Sequence, residues 1–110
     1  MAYDEDLAQR VREVISAREN VTEKKMFGGI AFLLEGNMAV GVREEDLLVR
    51  LNEEDAEKAL TEEGVRPFEM GSRRQPKGWV LVGPERLSDD AGLGGWVDAG
   101  ADYAASLPSK

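Results

Sequence analysis

The sequence contains no cysteine and no histidine. The first absence removes disulfides, thiolate nucleophiles and zinc ribbons together. The second removes the commonest general base at neutral pH and the commonest transition-metal ligand. No apolar run approaches the roughly 20 residues that a helix needs to cross a bilayer. The acidic start, Asp4-Glu5-Asp6, lacks the basic and apolar regions of a signal peptide. A cytoplasmic chain with no membrane attachment is expected. Basic residues are few as well: 14 Lys and Arg stand against 22 Asp and Glu, for a net charge of −8. That field opposes nucleic acid, whose affinity rests on neutralising phosphates. No dinucleotide or P-loop glycine motif, nucleophile elbow or EF-hand loop is present. Catalytic residues, cofactor and metal are therefore all expected to be none, and the chain is read as a non-enzyme.

What is present is 110 residues with 42% hydrophobic content, enough for a single domain, residues 1–110, around one core. Residues 24–42, KKMFGGIAFLLEGNMAVGV, carry the most local information. Read with period two, Met26, Gly28, Ile30, Phe32 and Leu34 share one face, and Phe27, Gly29, Ala31 and Leu33 the other. Glu35-Gly36-Asn37 reads as a hairpin loop, with Gly36 and Asn37 tolerant of positive φ. The return strand offers Met38, Val40 and Val42 on the bulky side, and Ala39 and Gly41 on the small one. Gly28, Gly29 and Gly41 then mark places where a strand bends or another backbone comes close.

The remaining elements follow from periodicity and caps. A first helix over 4–18 has Leu7, Val11, Val14 and Ile15 on one stripe. A third strand covers 47–51. Asn52 caps a second helix to about Glu62, and Gly64 stands past its end. Residues 65–70 are extended, with Pro67 marking an edge, and 78–82 form another strand. Ser88 is read as the cap of a last helix over 89–106, with Leu93, Trp96, Val97, Ala101 and Ala104 facing inward. Its four glycines each cost up to about 1 kcal/mol relative to alanine. The order α-β-β-β-α-β-β-α predicts an α+β, two-layer fold: an antiparallel sheet of about five strands with helices packed on it.

These residues carry a resemblance. The run Lys25-Met26-Phe27-Gly28-Gly29 is followed by Gly36, Leu48-Val49-Arg50-Leu51, Gly64, Pro67-Phe68, Met70, Trp79, Pro84 and the Trp96 helix. Over about residues 10–105 the chain resembles the TfoX N-terminal domain family, also called TfoX/Sxy-like. The resemblance implies a secretion-chaperone-like antiparallel sheet with helices against it. Longer members look like competence regulators, which act with a transcription activator and carry a second, C-terminal domain. A chain of 110 residues has no room for that domain, so a stand-alone N-terminal module is expected.

The interaction candidates are Phe27, Gly28, Gly29, Leu33, Arg73, Arg74, Lys77 and Trp79. Residues 65–80 reverse the general charge, with Arg66, Arg73, Arg74 and Lys77 against Glu69 alone. Basic residues beside Trp79 are a combination that can bind phosphates and stack a base; a solvated loop is the simpler reading. Glu44-Glu45-Asp46 and Asp89-Asp90 are explained by turn polarity and helix capping. Lys24-Lys25 either pair with acids of the first helix or guard an apolar strand. A module acting through protein–protein contacts is expected; the alternative is a nucleic-acid-associated transcriptional regulator using the basic loop 73–77. Because Leu33, Ala31, Ala39, Gly41 and Phe27 leave the second face apolar, a symmetric homodimer covering it is expected too.

Overall fold

The computed structural model describes residues 3–26, 28–68 and 78–108. Helix α1 (Glu5–Ile15) leads into four strands, β1 (Val21–Met26), β2 (Gly29–Leu34), β3 (Asn37–Arg43) and β4 (Asp46–Arg50). Helix α2 (Glu53–Ala59), strands β5 (Val65–Pro67) and β6 (Trp79–Val82), a short 3-10 turn and helix α3 (Asp90–Ala105) complete the chain. All neighbouring strands pair antiparallel in the order β1-β2-β3-β4-β6-β5. The α+β class is as expected, and the sheet has six strands. The added strand is β1, whose Thr22-Glu23-Lys24-Lys25 centre is polar and exposed because it forms an edge.

The glycine pair is where β1 turns into β2. Gly28 sits in the turn at φ +74°, a conformation that L side chains rarely adopt. The next turn holds Glu35 at φ 52° and Gly36 at φ 84°. Two consecutive left-handed residues match the twist of a tight hairpin. Positive φ thus falls one residue earlier than the sequence suggested. Asn37 is instead the first residue of β3, buried, and its Nδ2 donates to the Pro108 carbonyl at 2.8 Å.

Register divides the side chains between two faces. Lys25, Ile30, Val42, Leu47, Val82 and Val65 form one row across all six strands, beside Glu23, Phe32, Val40, Val49 and Val80. The helices cover this side, and its apolar members form the main core with Leu7, Val11, Ile15, Leu93 and Val97. A bulge then shifts β2 against β3: Phe32 faces Val40, but the next residue, Leu33, faces Met38. Ala39 is the extra residue, and Met38 moves to the far side with Ala31, Leu48, Phe68 and Leu81. Strict alternation had placed Met38 with Val40 and Val42.

Helix ends follow from short polar side chains. Asp4 Oδ1 accepts from the Asp6 and Leu7 backbone N–H groups at 2.9 and 3.1 Å. Asn52 accepts from Asp55 N–H at 2.7 Å. The α3 cap is Asp89, which accepts from Gly92 N–H at 2.8 Å, rather than Ser88. Helix α1 is further tied to β1 by Arg12, which donates to Glu23 from Nε at 2.6 Å and from Nη2 at 2.8 Å.

Helix α3 tolerates its glycines for different reasons. At Gly100 a β-carbon would lie 2.5 Å from the Ala39 carbonyl oxygen and 2.7 Å from Val40 Cγ1. The helix therefore crosses β3 too closely for any side chain there. Burial of Leu93 and Val97, worth about 1.5–3 kcal/mol each, offsets the helix-propensity cost. Gly95 has no such neighbour: a β-carbon there would meet nothing within 4 Å, and the residue is exposed. Gly100→Ala should therefore lower the urea midpoint, whereas Gly95→Ala should raise stability by up to about 1 kcal/mol.

The Arg12 hydrogen bonds and charge hold the Glu23 carboxyl below its usual range, against some loss of hydration. A depressed carboxyl pKa contributes stability above the unfolded-state value and loses it as pH falls through the folded one. Because both side chains are more than a third exposed, the contribution stays within about 1 kcal/mol. Denaturation midpoints followed from neutral pH down through the carboxylate range should fall less steeply in Glu23→Gln than in the native chain.

Candidate binding face

The side of the sheet away from the helices gathers most of the residues that could meet a partner. Lys24, Ala31, Gly41, Leu48, Leu81 and Arg66 form its central row, each opposite the next across six strands. Thr22, Leu33 and Met38 make a second row. Arg43 faces Asp46 and Arg50 faces Trp79 at the ends of the same strands. The middle is apolar and the rim basic.

The expected sites divide clearly. Leu33 and Trp79 both lie on this face, half-buried against the Ala31, Met38, Leu48, Phe68 and Leu81 cluster. Gly28 lies in the turn at its corner and Gly29 opens β2. A β-carbon on Gly29 would stand 2.1 Å from the Val42 carbonyl oxygen, so the strand passes β3 too closely for a side chain. Phe27, Arg73, Arg74 and Lys77 lie outside the described residues, and with them the basic loop 73–77.

Reasoning along the chain missed Arg43, Arg50 and Phe68. The Phe68 ring packs 6.2 Å from that of Trp79, tilted by 43°. The Arg43 guanidinium lies over Phe68, 5.8 Å from the ring centroid. Arg50 sits between two rings, 5.4 Å from Trp79 and 5.6 Å from Tyr103 of α3. Such contacts hold a guanidinium in place while leaving its N–H edge open to an acceptor. The signal was available as a period-two pattern in β4, where Asp46, Leu48 and Arg50 share a face. It was hidden because Arg43 and Arg50 sit on different strands, and only the pairing shows that they share a face.

Five far-face side chains, Ala31, Met38, Leu48, Phe68 and Leu81, are already 0–7% exposed within one chain. The argument that a second copy must cover an open apolar surface is therefore reduced to Leu33 and Trp79. Lys24 and Lys25 have no ion-pair partner among the described residues, whereas Glu23 of the same strand pairs with Arg12 of α1. Two surface clefts lie elsewhere. One, about 340 Å³, is lined by Arg12, Ile15, Arg18, Val21 and Glu23 among others. The other, about 130 Å³, lies between Asp4, Arg10, Glu45 and Leu87. Their arginines are all ion-paired: Arg10 with Asp90, Arg12 with Glu23, and Arg18 with Asp98 and Asp102. Hydrogen bonds to Glu23 and Asp102 raise the pKa of Arg12 and Arg18 further above its ordinary value. Among the described residues no three Asp, Glu, His or Cys converge as a metal cage, and no helix is long and apolar enough to cross a membrane.

The hairpin turn at Gly28-Gly29, the six-stranded sheet and the Trp96 helix are the structural counterparts of the motifs along the chain. The TfoX N-terminal domain family matches residues 13–104. The chain belongs to that family. The match runs from α1 to the last turn of α3 and includes every strand of the sheet. Comparison with curated proteins and with solved structures gave no match.

Replacing Gly29 by valine should destabilise the fold on the order of 3 kcal/mol, although valine suits strands in general. Chemical denaturation checks it. An unchanged midpoint would mean that β2 can move away from Val42 at little cost.

Proposed function

We propose that this TfoX N-terminal domain is a non-catalytic regulatory module that works through contacts with another protein. The family suggests a competence-regulator-like module. The observation that supports a binding role is the far face of the sheet, where half-buried Leu33 and Trp79 lie among cations. Contact surfaces combine such an apolar centre with a polar rim, and aromatic and Arg side chains are enriched in them. A cytoplasmic location and the absence of catalysis belong to the same proposal. Both rest on the composition: no histidine or cysteine supplies a nucleophile or a neutral-pH base.

The test is an affinity capture from native-cell extract, run with and without nuclease treatment, followed by mass spectrometry. A protein retained equally in both runs is the expected result. A gel-shift assay with duplex DNA at physiological salt should show no complex at about 10 μM protein. Retention that depends on nucleic acid, or a salt-sensitive shift below micromolar concentration, would replace this reading with a nucleic-acid-associated regulator.

A further inference from the structure

The cations of this acidic chain are sorted by face. On the helix side, Arg10, Arg12, Arg18, Lys58 and Arg86 each have a carboxylate partner within 4 Å. On the far face, Arg66 is paired with Asp46, the one acid that the described register places there. Lys24, Arg43 and Arg50 have no carboxylate within 4 Å among the described residues, although Arg43 stands across from the Asp46 that Arg66 engages. Among those residues, a chain of net charge −8 thus leaves its positive charge unneutralised on one surface, apart from Lys25 on the β1 edge. Like-signed charges collected around an apolar centre cost stability on their own, and an oppositely charged partner relieves that cost.

We infer that the far face of the sheet docks an acidic polypeptide segment that also carries apolar side chains. The inference rests on the protein-binding reading above and names the chemistry of the partner. Arg43 and Arg50 are held over the rings of Phe68 and Trp79. Their guanidinium forks therefore lose little freedom on engaging a carboxylate, and planar two-point pairing with carboxylates is what arginine does best. Leu33 on β2 and Trp79 on β6, to either side of the two arginine-bearing strands, supply the apolar contact.

Two other occupants fit less well. Single-stranded nucleic acid needs open aromatic faces on which bases stack. Phe68 is 3% exposed, and Trp79 is taken up by Arg50 and Phe68. A second copy related by a twofold axis would bring this basic patch against its own copy, and like charges repel. The homodimer expected from the sequence carries that electrostatic cost.

Fluorescence anisotropy tests the inference with three labelled probes: a peptide of Glu, Asp, Leu and Phe, the same peptide with Lys replacing the acids, and a single-stranded oligothymidine. The acidic peptide should bind, weaken as salt rises, and lose at least about tenfold in affinity in an Arg43→Gln, Arg50→Gln double variant. Lys58→Glu, which changes net charge equally on α2, should leave binding within about twofold. If loss of the Arg50 stack unfolds the chain, Lys24→Gln with Arg43→Gln carries the same test with a smaller expected loss. Tighter binding of the oligonucleotide, equal binding of the Lys peptide, equal weakening by Lys58→Glu, or no peptide binding at about 1 mM would each overturn the inference. So would a dimer in sedimentation that the double variant dissociates. A captured cellular protein that the double variant still retains would keep the protein-binding module and remove this face from it.

Discussion

Helix α3 crosses β3 with room for no side chain at Gly100, and much of the architecture depends on that crossing. Ala39 is the bulged residue of the central hairpin and Gly100 the helix residue above it. No side chain separates the two backbones. The bulge fixes which β3 residues face the helices, and the glycine lets the helix come down onto them. A larger residue at either position would lift α3 and open the layer formed by Phe32, Val40, Leu93 and Val97, which are 0–1% exposed. The Asn37–Pro108 hydrogen bond then secures the chain just beyond α3 to the start of the same strand.

The crossing also explains the second face. The bulge sends Met38 to the far side, where it joins Ala31 and Leu48 beneath Phe68. A sheet covered by helices on one side normally alternates apolar and polar residues. Here the alternation fails in the middle of the sheet and returns at the outer strands, with Lys24 on β1 and Arg66 on β5, and at the ends of β3 and β4, with Arg43, Asp46 and Arg50. The polar residues that restore it are mainly basic, while the acids are spread over the helices and turns.

Much of this was legible in the sequence, for physical reasons that differ between elements. Helix α1 has a clean apolar stripe and a capping aspartate, so its position could be read closely. The period-two run of β2 was equally clear. Strand β1 was not, because an edge strand has no second neighbour and little burial to impose a pattern; Thr22, Glu23, Lys24 and Lys25 are all exposed. Alternation could not reveal the bulge either, since one inserted residue leaves composition unchanged while moving Met38 to the other face. The bend and the close approach read at Gly28 and Gly29 are both present: the first makes the turn and the second passes close to Val42. Trp79 and Leu33 were found, but the arginines around them required register, which links Arg43 and Arg50 to their neighbours through pairing rather than sequence distance.

The remaining tension is between a chain of net charge −8 and a surface suited to an anion. Distance resolves it. Electrostatic interaction between exposed charges decays over about 8 Å at physiological ionic strength. The molecule measures 26 Å across its thinnest direction, several screening lengths. Two carboxylates of α3, Asp98 and Asp102, are already engaged by Arg18. An approaching acidic segment meets repulsion from the whole molecule only at long range, where salt weakens it. At contact it meets Lys24, Arg43 and Arg50. Net charge then governs how slowly such a partner arrives, while the local arrangement governs how long it stays.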